Sequence, residues 1–118
     1  MTKRFYVVFS LILTFMFTSV FAVNVTLNVD MENVTVSDDG VHVAGSFQGW
    51  DAAATALTDD DGDGIYTVTV DMSSVADDTV YFKYINGNAW GSDEGVSDPA
   101  CGGAGGFGSD RWLAVPSE

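Results

Sequence analysis

VHVAGSFQGW (Val41–Trp50) and YFKYINGNAW (Tyr81–Trp90) share one plan: strand-like alternation running into a Gly- or Asn-rich turn that closes on a tryptophan. Between them lies an acidic glycine turn, DDDGDG (Asp59–Gly64). Side chains at every second position share a face of a strand, so this alternation marks half-buried strands. A tryptophan at a strand end has poor access to a sandwich core. It is either edge packing or a platform for a ligand, and the functional reading hangs on that choice.

The same period extends outward. Val23, Val25, Leu27, Val29 and Met31 alternate with Asn24, Thr26, Asn28 and Asp30, which predicts a first strand. Ser37–Gly40 reads as a turn and Val41–Ser46 as a second strand. Ala-rich 51–58 is either a short strand or an irregular crossing. Ile65–Met72 places Tyr66, Val68, Val70 and Met72 on one face. Val80–Asn86 places Val80, Phe82 and Tyr84 on one face and Tyr81, Lys83 and Ile85 on the other. Residues 91–110 are loop by composition, and Arg111–Val115 is the last strand. Short strands separated by turn chemistry, without helical periodicity, predict an all-β fold, an antiparallel β-sandwich.

Residues 1–22 stand apart. Lys3 and Arg4 precede an apolar run from Phe5 to Ala22, the pattern of a cleaved signal peptide. A polar alternating strand follows at once, with no basic stop-transfer cluster. The expected product is a secreted or cell-surface protein (extracellular or periplasmic), with no membrane association after cleavage. Its single module, residues 23–118, has 96 residues, enough for one core. Lys83 and Arg111 are then its only lysine and arginine against 17 acidic residues, a formal net charge of −15. Such a surface repels nucleic-acid phosphates and anionic headgroups. The lone Cys101 has no partner for an internal disulfide and reads as a free thiol in a loop.

Catalytic chemistry is poorly supplied. His42 is the only histidine, in mid-strand, and Ser46 nearby has no third group to orient a base, so no enzyme is expected. Asp59, Asp61 and Asp63 match the first half of a calcium loop, D-x-D-x-D-G. The bidentate glutamate that closes an EF-hand would fall at Val70, which excludes that motif. An acidic hairpin is the simpler reading, with any calcium purely structural; no other cofactor is implied.

The tryptophan segments carry a resemblance. V-x-V-A-G-S-F-Q-G-W (Val41–Trp50), D-G-x-G-x-Y-x-V-x-V (Asp61–Val70) and Y-F-K-Y-I-N-G-N-A-W (Tyr81–Trp90) resemble the early-set immunoglobulin-like glycogen- and starch-binding modules. These include the glycogen-binding domain of AMP-activated kinase β subunits and the N-terminal modules of branching and debranching enzymes. The resemblance implies an immunoglobulin-like sandwich, with Trp50 and Trp90 as sugar-stacking rings and Lys83 as a sugar-contacting lysine. Asp110 falls at about the position of the family's hydroxyl-binding asparagine, and Phe107 with its neighbouring glycines replaces its leucine region. The implied partner is a polysaccharide, an α-glucan, with an associated glycan-degrading enzyme as a further one. The residue chemistry is compatible: indoles cover the apolar face of a pyranose, while Lys83, Asn86 and Asn88 offer bonds to its hydroxyl rim. The rival expectations are a structural early-set module that binds no glycan and a calcium-dependent adhesive domain.

Overall fold

A computed structural model describes residues 21–95 and 110–117. Most of the expected signal peptide, along with Cys101 and Phe107, lies outside the described residues. Six strands form among the described residues: β1 (Asn24–Asp30), β2 (Val41–Gly45), β3 (Ala56–Leu57), β4 (Ile65–Asp71), β5 (Thr79–Asn86) and β6 (Arg111–Ala114). Two 3-10 turns, Ser46–Gln48 and Ser73–Val75, are the only helical elements among the described residues. None of these residues forms a helix long and apolar enough to cross a membrane.

All strand pairings among the described residues are antiparallel. β1 pairs with β4 in one sheet, and the order β3-β2-β5-β6 makes the other. The two sheets enclose one core. Val23, Leu27 and Met31 meet Val41, Val43, Val80, Phe82 and Tyr84 across it, with Leu57, Met72 and Val115 filling its margins. This is the two-layer arrangement that alternating short strands need in order to bury one face each. The Tyr84 hydroxyl crosses the gap and donates to the Asn28 carbonyl at 2.9 Å. Burial pushes this phenol up to about 12, with the Arg111 guanidinium opposing the rise.

The Ala-rich stretch turns out to be both things its composition allowed. Ala56–Leu57 pairs with β2, and the next residue, Thr58, bridges Thr67 of β4, so the chain passes from one sheet to the other. The second strand ends at Gly45, one residue early. A Cβ there would lie 2.7 Å from the Tyr81 carbonyl oxygen and from the Phe47 ring, so only glycine allows the chain to turn so close to β5.

Alternation along β5 does not translate into an exposed outer face. Ile85 shares its face with Tyr81 and Lys83 but is 0 % exposed, packed with Ala44 and Ala52 in a second small cluster. The segment between β2 and β3 folds back over this face and roofs it.

Candidate functional site

The roofing segment is held by one side chain. The Gln48 amide nitrogen donates to the Val43 carbonyl (3.2 Å), the Asp51 carbonyl (2.7 Å) and Thr55 Oγ1 (3.3 Å). Its amide oxygen accepts from the backbone N–H groups of Gly45 (3.3 Å) and Asp51 (2.6 Å). Trp50 sits at the tip of this turn with φ +61°, and its N–H donates to the Gly45 carbonyl at 2.9 Å. A bulky residue in left-handed backbone costs about 1–2 kcal/mol, so its surroundings must hold it there. The result is an indole resting on the Ala44–Ala52–Ile85 cluster with its other side outward.

Trp90 comes from the other side. After β5 the chain turns at residues 87–91 and runs back along its own strand. Asn86 N–H donates to the Ser92 carbonyl (3.1 Å), and Glu94 N–H to the Tyr84 carbonyl (3.0 Å). Trp90 lies in this return turn, 50 % exposed, and its ring centroid is 6.3 Å from that of Trp50 with the planes tilted by 40°. Together with Lys83, Asp93 and Asp110 the two rings line a cavity of about 500 Å³.

The cavity floor is charged. Lys83 Nζ lies 3.3 Å from Asp93 and 3.7 Å from Asp110. The Asp110 side chain is only 4 % exposed and that of Lys83 12 %. Strand register brings these groups together: Phe82 pairs with Arg111, which sets Asp110 beside Lys83, and Ile85 bridges Asp93. Desolvation acts to raise the Asp93 carboxyl, but N–H groups of Asp93 and Gly91 and the Lys83 ammonium hold it below the usual carboxylate range. An ammonium has three donors, and among the described residues that of Lys83 makes one hydrogen bond, to Asp93, with Asp110 as a second, longer ionic contact. Asp93 had no signature in the sequence, since only the return of the chain along β5 places it here.

Asn88 lies in the return turn, exposed and outside the cavity lining. Asn86, expected to offer bonds to a sugar rim, is committed elsewhere. Its amide oxygen accepts from Ser37 N–H (2.8 Å) and its nitrogen donates to the Thr35 carbonyl (2.9 Å), tying down the β1–β2 connection. His42 Nδ1 is 2.7 Å from the Gly87 carbonyl oxygen, and Ser46 Oγ accepts from Tyr81 N–H, so both have structural partners.

Asp59, Asp61 and Asp63 do converge, with one carboxylate oxygen from each within 4.8 Å of the others. They lie at the start of β4, on the opposite sheet from the tryptophans. The turn's own backbone engages them: Asp59 accepts from Asp63 N–H (3.1 Å) and Gly64 N–H (3.0 Å), and Asp63 accepts from Ile65 N–H (2.9 Å). Desolvation opposes it, but these bonds bring the Asp59 carboxyl below its ordinary value; side-chain hydrogen bonds with Asp63 and Asp59 push that of Asp61 up.

Another cavity of about 510 Å³ opens between the sheets, bordered by Asn28, Met31, Tyr84, Glu94 and Arg111. Its polar groups hold one another. Arg111 Nε and Nη2 grip the two Glu94 oxygens at 2.6 and 2.9 Å, over the Tyr84 ring, and Glu94 also accepts from Tyr84 N–H. Its charged pair is thus engaged internally, whereas the tryptophan cavity sets two indoles beside its charged groups. No protein-family model matches the chain, and no curated protein matches it.

Proposed function

We propose that this protein is a non-catalytic carbohydrate-binding module of immunoglobulin-like, early-set type that takes α-glucans such as starch or glycogen. The observation that carries the reading is the pair of indoles, 6.3 Å apart on one face and flanking Lys83, Asp93 and Asp110. A sugar ring offers an apolar face to an indole and hydroxyls to a charged floor. The 40° tilt favours a curved chain. α-1,4 links turn successive rings into a helix, whereas β-1,4 links give a flat ribbon that suits coplanar rings. The excess of acidic groups favours a neutral ligand over a polyanion. Residues 1–22 direct the module outside the cell in this reading, where glycan-degrading enzymes are natural partners.

Weak binding follows from the size of the site. Two rings hiding about 100 Å² each give roughly 5 kcal/mol gross at about 25 cal/mol per Å², and association costs at least about 4 kcal/mol. A few hydrogen bonds supply the balance, for a dissociation constant of roughly millimolar to tens of micromolar. Electrophoresis in gels with and without amylopectin tests the reading. Wild-type protein should be retarded, and Trp50→Ala or Trp90→Ala should run freely. A folded wild type that is not retarded refutes it. That outcome favours a structural module without glycan binding, a reading for which the packing of Trp50 on Ala52 and Ile85 is the specific support.

A further inference from the structure

The outer face of the four-stranded sheet does not end at the cavity. On β5, Tyr81 and Lys83 point the same way, and the register sets Trp112 of β6 directly opposite Tyr81. Val80 and Phe82, with the opposite orientation, are core residues, which fixes Trp112 on the outer side. Trp112 is 42 % exposed. The Tyr81–Trp112 row is one same-face strand step from the Lys83–Asp110 row, about 7 Å, and lies on the side of Lys83 away from Ile85. Trp112 therefore lies beside half-buried Tyr81 on the same face, and adjacent aromatics form a patch able to take a ligand, as apolar residues scattered singly do not.

We propose that Tyr81 and Trp112 form an additional stacking platform continuous with the Trp50–Trp90 cavity, so that the module selects extended glucan chains over short ones. The inference rests on the glycan reading above and adds the length of chain recognised. Adjacency to the cavity names the occupant, because its Lys83 and Asp110 are the strand neighbours of Tyr81 and Trp112. A chain leaving the two indoles across Lys83 meets the aromatic pair next, and neither Tyr81 nor Trp112 introduces a charge that would repel a neutral sugar. Both aromatics also present a polar tip (a phenol and an indole N–H) able to bond hydroxyls.

The chain has three tryptophans, so Trp50, Trp90 and Trp112 give three indole N–H resonances. Maltotriose should shift those of Trp50 and Trp90 alone, and maltoheptaose all three. By calorimetry, Trp112→Ala should weaken maltoheptaose binding about fivefold or more and leave maltotriose within about twofold. Trp50→Ala should lose both. The wild-type resonances decide the matter even if Trp112→Ala fails to fold. A Trp112 signal unmoved by maltoheptaose that shifts the other two overturns the platform while leaving the glycan reading intact. If neither sugar moves any indole, the glycan reading itself falls, and the platform with it. A concentration-dependent dimer broken by Trp112→Ala, with no effect on sugar affinity, would assign the pair to self-association and also overturn the proposal.

Discussion

Replacing Lys83 by methionine tests the charged floor most sharply. Methionine keeps the length of the stem and its packing, so the change isolates the ammonium. Two carboxylates then lose their cation. Asp93, 26 % exposed, can turn to water at little cost, but Asp110, at 4 %, has almost no access to it. Removing one partner of a buried pair costs about 3–5 kcal/mol because a bare charge remains in a low dielectric. The partial exposure of Lys83 argues for the lower end, about 3 kcal/mol, a large share of the roughly 5–15 kcal/mol that holds a domain together. For a chain of this size that lowers the melting temperature by about 12–24 °C. Adding Asp110→Asn to Lys83→Met removes the stranded charge and should recover at least half of the loss. Asp93→Asn alone, at the more open pair, should cost about 1 kcal/mol or less. Urea unfolding followed by tryptophan fluorescence measures all of these. A cost under about 1 kcal/mol for Lys83→Met, or a double variant no more stable than the single one, would show that no buried charge is stranded.

Three further outcomes follow from particular contacts. Gln48→Ala deletes every bond that the amide makes to the 43–55 backbone and Thr55. It should cost about 1–3 kcal/mol and quench glycan retardation as fully as Trp50→Ala; retained retardation would show that the turn stands without it. The raised phenol of Tyr84 sets an alkaline limit. The folded state holds that proton more tightly than the unfolded one, so the associated stability is complete below pH ~10 and drains away as pH climbs toward about 12. Absorbance titration at alkaline pH should show one late tyrosine that Tyr84→Phe removes. Asp59→Ala should lower the melting temperature only slightly through the two lost backbone bonds, with chelator-treated and calcium-loaded wild type melting together. A calcium-dependent rise in melting temperature that this variant abolishes would instead give the turn a cation-binding role.

The strands were legible because alternation is local. Which side chains share a face of β1, β4 or β5 depends only on the pleat, and the observed bounds lie within a residue or two of those the pattern predicts. The two tryptophans and Lys83 also stood out, one as the sole lysine beyond residue 22 and the others as aromatic ends of alternating runs. Outside local reach lay everything made by the chain folding back on itself. Ile85 alternates like an outer-face residue and is buried only because residues 46–55 return over it. Asp93 sits in an undistinguished turn and reaches Lys83 only through the bridge to Ile85. Asn86 reads as a free amide near a tryptophan, yet spends its bonds on the Thr35–Ser37 backbone about fifty positions earlier.

Taken alone, the sequence determined a two-layer β protein of strong negative charge, because periodicity and net charge are sums over neighbours or over the whole chain. Tertiary structure decided that two indoles forty residues apart face one cavity, and that its ammonium is shared between two carboxylates. Those relations depend on register and on which loops fold back, and such long-range pairings leave no periodic trace along the chain.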